Sequence, residues 1–274
     1  MMAEKGAIET SHGKIAYAQS REDGPAILLI HGNSSCKEVF SGQFSAPELS
    51  GFRLVAIDLP GHGESQDAAD PTRSYTFGGY AGMAAEAAAA LALDRPVIFG
   101  WSLGGHIALE MVGGGFPARG VMICGTPPVK PELECLMAGF NIDPAAENLT
   151  GKRDFSDDDA LAYATHTCAV GGVLDPHLLA MCKRTDGRAR ETMFGSVVAG
   201  QALDEREIVA TMAVPLAIVN GAEDVFIRPD YFDGLAFSSL WQEGVVRLEG
   251  AAHAPFLQRP QRFNALLAKF AGSI

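Results

Sequence analysis

The stretch V-I-F-G-W-S-L-G-G-H at residues 97–106 constrains the fold more than any other part of the chain. It joins a short apolar run, which predicts a strand, to an amphipathic segment that predicts a helix over Leu103–Met111. Between them lies G-x-S-x-G, in which Gly100 and Gly104 let the backbone turn sharply without a Cβ clash. Such a turn lifts Ser102 above the edge of a sheet. Because G-x-S-x-G also occurs by chance, it indicates chemistry only if partners for Ser102 exist elsewhere.

The size and charge of the chain limit the classes of protein to which it can belong. With 274 residues, 47% of them hydrophobic, it is long enough for one large α/β core and a small inserted lobe. A net charge of −12 argues against a nucleic-acid or anionic-membrane partner, because both attract basic surfaces. It favours a neutral or weakly polar small molecule as the substrate.

Nothing in the sequence indicates export, a membrane span or a disulfide framework. No apolar run approaches the roughly 20 residues that cross a bilayer, and residues 1–10 lack the apolar core of a signal peptide. The five cysteines form no C-x-x-C pair, so we expect reduced and mostly buried thiols. We therefore expect a cytoplasmic protein.

Short apolar runs alternate with helical segments along the chain. Strands are predicted at residues 7–10, 14–19, 26–30, 52–57, 97–99, 120–124, 214–219 and 245–248. The first two flank the turn-like triplet Ser11-His12-Gly13 and predict a hairpin. Besides the helix after Ser102, helices are predicted over Tyr75–Leu93 and Gln258–Phe270. This alternation predicts a mostly parallel sheet with helices on both faces.

The segment from Val129 to Phe194 has a different pattern. It contains no long β-branched run, and its short helical stretches are interrupted at Pro144, Gly151, Gly171-Gly172 and Pro176. We predict that residues 129–194 form a helical cap, or lid, inserted into a core made of residues 1–128 and 195–274.

One helix inside this cap is predicted to follow an N-cap at Ser156 and to run through Tyr163. Ser156 is a good N-cap residue, and Asp157, Asp158 and Asp159 would occupy the first turn. Three aspartates can bind a metal ion, but carboxylates at a helix start more often interact with the helix dipole. We favour the second interpretation.

Three polar residues each follow the end of a predicted strand, in the order Ser102, Asp224, His253. Because the carboxyl ends of parallel strands meet at one edge of a sheet, these residues can converge there. Serine is a weak nucleophile unless a base takes its proton, and His253 can be that base. Asp224 would fix the imidazole tautomer and stabilise the imidazolium. The neighbouring Glu223 is the alternative acid, and we prefer Asp224 because of its place after the strand that ends near Asn220.

A second loop can supply hydrogen-bond donors to the same edge of the sheet. The strand at 26–30 ends in H-G-N-S-S, and a glycine followed by small polar residues can present backbone N–H groups to a crevice. We predict that the oxyanion donors are the amide of Leu103 and that of Asn33 or Ser34, each worth roughly 3 kcal/mol in the transition state. His62 is an alternative base, but a histidine in a glycine-rich loop is more often structural.

Together these motifs resemble the α/β-hydrolase superfamily over essentially the whole chain. The resemblance rests on His31-Gly32-Asn33, Asp58-x-x-Gly61-x-Gly63-x-Ser65, Gly100–Gly105, Asp224 and Gly250-x-x-His253. It implies the α/β-hydrolase fold, a mostly parallel eight-stranded sheet flanked by helices, with a helical cap inserted after the sixth strand.

Several shorter segments resemble the metal-independent N-acyl-homoserine lactonases of this superfamily, which open the lactone ring of bacterial quorum-sensing signals (quorum quenching). These segments are His31–Ser35, Gly125–Val129, Arg184–Arg190 and His253–Phe256. The resemblance implies that Tyr163, in the cap, contacts the lactone. The acid of the triad corresponds to a position that is glutamate in some of these relatives.

The cap and the loops beside Ser102 are predicted to bind the substrate. The predicted substrate-binding residues are Gly32, Trp101, Phe140, Tyr163, Met181 and Phe194. The four cap residues of this set are plausible lining for an acyl chain, and packing between cap and core is an equally good interpretation of each.

We predict no metal or cofactor. The other chemistry for such lactones uses a dinuclear metal site on an H-x-H pair, and no two of the seven histidines are two positions apart. H-E-x-x-H is also absent. A lactonase built from this chain would therefore use Ser102.

Two alternative functions remain. They are a general carboxylesterase for small or aryl esters and a ligand-binding receptor of the same fold. The sequence leaves acyl-chain length, oligomeric state and cap movement open.

Overall fold

Eight strands form one sheet in the computed structural model, which describes residues 4–142 and 147–274. The strands are β1 (Glu4–Thr10), β2 (Gly13–Gln19), β3 (Ala26–Ile30), β4 (Arg53–Ile57), β5 (Val97–Trp101), β6 (Gly120–Cys124), β7 (Leu216–Gly221) and β8 (Val246–Leu248). Their order across the sheet is β1-β2-β4-β3-β5-β6-β7-β8. The hairpin β1–β2 and the pair β2–β4 are antiparallel, and the other pairs are parallel. The predicted fold class is confirmed.

Helices cover both faces of the sheet. They are α1 (Ser41–Phe44), α2 (Pro71–Ser74), α3 (Phe77–Ala90), α4 (Leu103–Gly113), α5 (Leu133–Gly139), α6 (Asp157–Cys168), α7 (Pro176–Arg184), α8 (Gly187–Val198), α9 (Glu205–Thr211), α10 (Pro255–Gln258) and α11 (Pro260–Ser273). None of the helices in the described ranges is long and apolar enough to cross a bilayer.

The central strands are apolar at every position because both of their faces are covered. In β3, Leu28 and Ile30 belong to the core that packs under α3 and α4. Ile27 and Leu29 point to the opposite face and belong to the core around α11. A strand buried on both faces gains stability from every apolar side chain, which is why A-I-L-L-I shows no polar alternation.

Two predicted helices have different bounds in the structure. The helix predicted from Tyr75 begins at Phe77, because the Thr76 side chain accepts a hydrogen bond from the Gly79 amide and caps it. The helix predicted from Gln258 is divided into α10 and α11. Arg259 lies between them in a non-helical conformation, with φ −135° and ψ 54°, because the proline that follows it disfavours the helical region.

The strand before the predicted acid is also displaced. It was expected at 214–219 and runs from Leu216 to Gly221. This register buries Asn220, whose Oδ1 accepts a hydrogen bond from the Gly125 amide at 2.9 Å. The side chain therefore ties the end of β7 to the loop after β6, directly below the predicted catalytic residues.

Of the helices in the described residues, α5 to α8 begin within residues 129–194, where the cap was predicted, and α9 follows in residues that were assigned to the core. Helix α8 continues past Phe194, the predicted last residue of the cap, and ends at Val198. Helix α6 begins as expected at Asp157, with reciprocal hydrogen bonds between Ser156 and Asp159. Pro144, one of the predicted interruptions, lies outside the described residues. The division into core and cap remains a prediction.

Candidate active site

Ser102 lies at the junction of β5 and α4 in a strained backbone conformation, with φ 53° and ψ −119°. L-residues with side chains rarely adopt positive φ, and such strain concentrates at functional sites. The Ser102 amide donates to the Cys124 carbonyl at 2.7 Å, and the Thr126 hydroxyl donates to the Ser102 carbonyl at 2.8 Å. The end of β6 and the residues after it therefore bind both the amide and the carbonyl of Ser102 and fix the turn.

Glycines are required around Ser102 because the chain is crowded there. A Cβ at Gly100 would lie 2.2 Å from the Gly104 carbonyl oxygen, and one at Gly104 would lie 2.1 Å from the Ile30 carbonyl oxygen. A Cβ at Gly105 would lie 2.1 Å from Thr126 Oγ1. The sequence pattern therefore folds into the sharp strand-to-helix turn that it predicts.

His253 and Asp224 are in direct contact. His253 Nδ1 lies 2.8 Å from Asp224 Oδ2, and the two side chains are 4% and 1% exposed. Asp224 Oδ1 accepts a hydrogen bond from the Phe226 amide, which fixes the carboxylate. Glu223, the alternative acid, is exposed, and in the described residues its one hydrogen bond is a backbone bond to the Ala251 carbonyl. Asp224, and not Glu223, is therefore placed to orient the imidazole.

The imidazole of His253 is held by aromatic neighbours. Its ring lies 4.7 Å from that of Phe226 and 5.6 Å from that of Trp101, and Trp101 Nε1 donates to the His253 carbonyl at 2.8 Å. A Cβ at Gly125 would lie 2.8 Å from His253 Cε1. The described residues show no hydrogen bond between Ser102 and His253, and such contacts often tighten only when a substrate binds.

The loop after β3 lies against Ser102. A Cβ at Gly32 would be 3.2 Å from Ser102 Cβ. His31 holds the loop, since its Nε2 accepts from the Leu59 amide at 3.0 Å while its Nδ1 lies 2.7 Å from the Gly32 carbonyl oxygen. This pattern requires the neutral tautomer with the proton on Nδ1, and burial lowers the pKa of His31.

The predicted oxyanion donors surround the same place. Leu103 is the first residue of α4, where backbone N–H groups have no partner within the helix. Ser34 has a positive φ of 54°, and its hydroxyl donates to Asn33 Oδ1 at 3.3 Å. The structure brings these three residues to the loop and helix start next to Ser102, and their role as oxyanion donors remains a prediction.

His62, the alternative base, is fully buried. Its Nδ1 lies 3.0 Å from the Pro60 carbonyl oxygen, and its ring packs 5.3 Å from that of His31. Burial lowers the pKa of His62 well below the ordinary value. A neutral ring enclosed under the loop supports the structural interpretation.

The six predicted substrate-binding residues lie in three places. Gly32 and Trp101 adjoin Ser102, but Trp101 is fully buried and supports His253 from below. Tyr163 is buried in the cap against Phe155, and burial raises the pKa of its hydroxyl.

The other three pack against the hydrophobic core of the sheet. Phe140 pairs with Ile227 in an isolated bridge, and its ring lies 5.9 Å from that of His106. Met181 and Phe194 are half-buried and pack on the two core clusters. A role for each in substrate binding remains a prediction.

The segment around α7 and α8 is bonded to the loop after β4 and to Tyr75 by contacts that sequence reasoning did not assign. The Asp186 amide donates to the Gly61 carbonyl at 2.9 Å, and Arg184 Nη2 donates to the Ser65 carbonyl at 2.7 Å. The hydroxyl of Tyr75, which precedes α3 in the chain, donates to Asp186 Oδ2 at 2.7 Å. The segment R-T-D-G-R-A-R was noted in the sequence, but its partners are far away in the chain and could not be identified there.

Two groups of side chains carry atoms that could bind a metal ion. Potential ligand atoms of Cys36, Glu38 and His177 lie within 4.8 Å of one another. Glu38 is already paired with Lys5 at 2.7 Å, and burial raises the pKa of the Cys36 thiol, which favours its protonated form. These contacts favour a hydrogen-bonded cluster.

Of the three aspartates at the start of α6, Asp159 takes part in the helix cap. Its carboxylate accepts hydrogen bonds from Lys152 and Ser156, which lower its pKa to about 2. This arrangement supports the capping interpretation of the aspartates over a metal cluster.

An eight-stranded, mostly parallel sheet with flanking helices and a serine on a strained strand-to-helix turn defines a hydrolase of the α/β-hydrolase fold. Residues 27–266 match the sequence profile of the Alpha/beta hydrolase family, and the chain belongs to that family.

Two kinds of protein are similar to this chain along nearly its whole length. Pimeloyl-[acyl-carrier protein] methyl ester esterases are similar over nearly their whole length: that of Nitrosospira multiformis is 28% identical (93% of this chain, 97% of the relative), and that of Methylococcus capsulatus is 30% identical (94% and 98%).

The second kind is represented by solved structures. The N-acyl homoserine lactonase AidH, complexed with N-butanoyl homoserine, superposes with a TM-score of 0.92 and 42% identity, covering 97% of this chain and 96% of that one. A serine-to-glycine mutant of AidH, complexed with N-hexanoyl homoserine lactone, gives the same TM-score and 41% identity, covering 97% of each chain. The resemblance to the α/β hydrolases and to their lactonases is confirmed, and the chain is a hydrolase similar to esterases and lactonases.

Proposed function

We infer that this hydrolase opens the lactone ring of N-acyl-homoserine lactones, with Ser102 as nucleophile. The observation that carries this proposal is the similarity of the whole chain to a lactonase solved in complex with a lactone and with an N-acyl homoserine. The contact between His253 and Asp224 beside the Ser102 turn supports it, because a serine nucleophile needs an oriented base.

The proposed reaction begins with attack of Ser102 Oγ on the lactone carbonyl carbon. His253 Nε2 takes the hydroxyl proton while Nδ1 remains bonded to Asp224, and the carbonyl oxygen becomes an oxyanion. The amides of Leu103 and of Asn33 or Ser34 stabilise that charge. Preorganised donors of this kind are each worth roughly 3 kcal/mol.

Ring opening differs from ester cleavage in the fate of the leaving group. The C–O bond of the ring breaks, His253 returns its proton to the leaving oxygen, and the resulting alcohol stays tethered to the acyl-enzyme. It can attack again and close the ring, so water activated by His253 must release the acyl group faster. The product carries a carboxylate, and its ionisation at neutral pH disfavours ring closure in solution.

The test compares matched substrates. We expect kcat/KM for N-butanoyl- and N-hexanoyl-homoserine lactone to exceed that for p-nitrophenyl esters of the same acyl lengths. Mass spectrometry should find a product equal to the lactone plus one water. A chelator should leave the rate unchanged, because the proposed chemistry uses no metal ion.

A carboxylesterase for small or aryl esters is the second candidate function. Its support is the similarity to methyl ester esterases along nearly the whole chain, and it uses the same catalytic residues. Ester cleavage without lactone opening in the same assay would contradict the lactonase proposal and support this one.

A further inference from the structure

Both loop residues that are proposed to supply oxyanion donors are bonded to the helical segment above them. Asn33 Nδ2 donates to the Thr150 carbonyl at 3.1 Å. The Ser34 hydroxyl accepts from Arg190 Nη1 at 3.2 Å and donates to Asn33 Oδ1 at 3.3 Å. A continuous chain of hydrogen bonds thus runs from Arg190 through Ser34 and Asn33 to Thr150.

Arg190, in α8, is the origin of this chain. Its Nε donates to the Lys152 carbonyl and its Nη2 to the Arg153 carbonyl, both at 2.7 Å, and its guanidinium lies 3.8 Å from the Phe155 ring centroid. The residue is 3% exposed. In the described part of the chain its hydrogen bonds all go to neutral oxygens, and no carboxylate pairs with it.

A buried cation without a paired carboxylate is costly for the folded state. A methionine or leucine at this position could fill the same volume without that cost. The guanidinium is the side chain whose planar set of donors can bind two carbonyl groups and a hydroxyl at once. The arrangement is therefore better explained by what the guanidinium holds than by core packing.

The residue that it holds is strained. Ser34 has a φ of 54°, a conformation that costs on the order of 1–3 kcal/mol for a residue other than glycine unless its surroundings fix it. The direction in which the Asn33 and Ser34 amides point depends on that conformation. A hydrogen bond to the Ser34 side chain is a direct means of maintaining it.

We propose that Arg190 is a positioning residue of the oxyanion hole. Through its hydrogen bonds to residues 152–153 and to Ser34, α8 sets the conformation of Ser34 and Asn33. The inference rests on the proposed function in so far as that function assigns the oxyanion to this loop. It assigns Arg190 no contact with the reacting atoms. Arg190 also has an electrostatic effect, because its fixed positive charge near the loop stabilises the developing oxyanion.

The first experiment compares Arg190→Ala with Arg188→Ala. Arg188 lies on the same helix, but its guanidinium is partly exposed and pairs with Asp186. Arg190→Ala should lower kcat between about 10- and 100-fold with KM changed less than about threefold, since small misplacements of catalytic groups cost about that much. Arg188→Ala should keep kcat within about twofold, because it leaves the hydrogen bonds from Arg190 through Ser34 to Asn33 intact.

Two readouts separate positioning from general loss of structure. Millimolar guanidinium chloride should restore part of kcat in Arg190→Ala, and sodium chloride at the same concentration should not. Ser34→Ala removes the hydroxyl that Arg190 binds and should also lower kcat. The double variant should be no slower than the slower single variant, because both changes break one chain of hydrogen bonds.

An unchanged kcat in Arg190→Ala, or losses that multiply in the double variant, would overturn the inference. If Arg190→Ala fails to fold, Ser34→Ala decides, and an unchanged kcat there overturns the inference as well. Each variant is assayed with a lactone and with an aryl ester, because both reactions use the oxyanion hole. A wild-type enzyme that cleaves only the ester contradicts the proposed function and leaves the test of Arg190 intact.

Discussion

The backbone of Ser102 is held where a side chain is unfavourable. Glycine adopts a φ of 53° without strain, whereas alanine does not. The free energy of unfolding of Ser102→Gly should therefore be about 1 kcal/mol higher than that of Ser102→Ala. Both variants lack the hydroxyl, which makes them a matched pair. Denaturation in guanidinium chloride measures the difference, and equal stabilities would show that the turn is not strained.

The two neighbouring acids should differ strongly in their contribution to the rate. Asp224→Asn replaces the carboxylate that binds His253 Nδ1 and should lower kcat by about 10²- to 10⁴-fold, because the amide favours the wrong tautomer. Glu223→Gln changes an exposed side chain and should stay within about twofold. Steady-state kinetics of both variants tests this prediction. A larger loss of kcat in Glu223→Gln would show that Glu223, and not Asp224, is the acid of the triad.

Sequence reasoning could anticipate the pairing of Asp224 with His253 because both residues follow strand ends, and parallel strands bring such ends together. It could not anticipate Arg190. The contacts of that residue join α8, residues 152–153 and the loop after β3, and nothing in the local pattern around Arg190 indicates which of these meet.

At the scale of elements, close packing of α4 against β3 determines where glycine is required. A Cβ at Gly104 would lie 2.1 Å from a backbone oxygen that cannot move away, so Gly104→Ala should destabilise the protein by several kcal/mol or prevent folding. Gly195, in α8, is exposed, and a Cβ there meets no atom within 4 Å. Gly195→Ala should stabilise the protein by about 0.5–1 kcal/mol.

Thermal unfolding of the two glycine variants checks this prediction. Similar melting temperatures for Gly104→Ala and the wild type would contradict the close approach of α4 and β3 on which the active-site turn depends.

Element positions were predictable where hydrophobic runs were continuous, as in β3 and β6, whose bounds agree with the expected 26–30 and 120–124. They were less predictable where a local interaction ends an element. The Thr76 cap shortened α3, and Pro260 divided the last helix. In the inserted helical segment, α8 runs beyond Phe194 because a composition change does not mark the end of a helix.

At the scale of the whole molecule, two buried histidines link stability to pH. Burial lowers the pKa of His31 and His62, whereas in the unfolded chain both titrate near the ordinary 6.5. Below about pH 7 the unfolded state therefore binds more protons, so stability is fully present above that pH and falls as pH decreases through 6.5. Each histidine contributes up to about 1.4 kcal/mol per pH unit.

Unfolding free energies measured from pH 7.5 to 5.5 test this expectation. His62→Asn, which keeps a donor for the Pro60 carbonyl, should reduce the slope, and His166→Asn, which changes an exposed side chain, should not. A wild-type stability that is constant across this range would contradict the account of the buried pair.

The most direct test of the proposed function is the mass of the acid-quenched enzyme during lactone turnover. Attack of Ser102 on the ring carbonyl leaves the alcohol tethered, so the account predicts an adduct with the mass of the whole lactone on the peptide that contains Ser102. It also predicts that Ser102→Ala forms no adduct and opens no lactone. An adduct with the mass of the acyl chain alone, attachment to a different residue, or undiminished lactone opening by Ser102→Ala would contradict it.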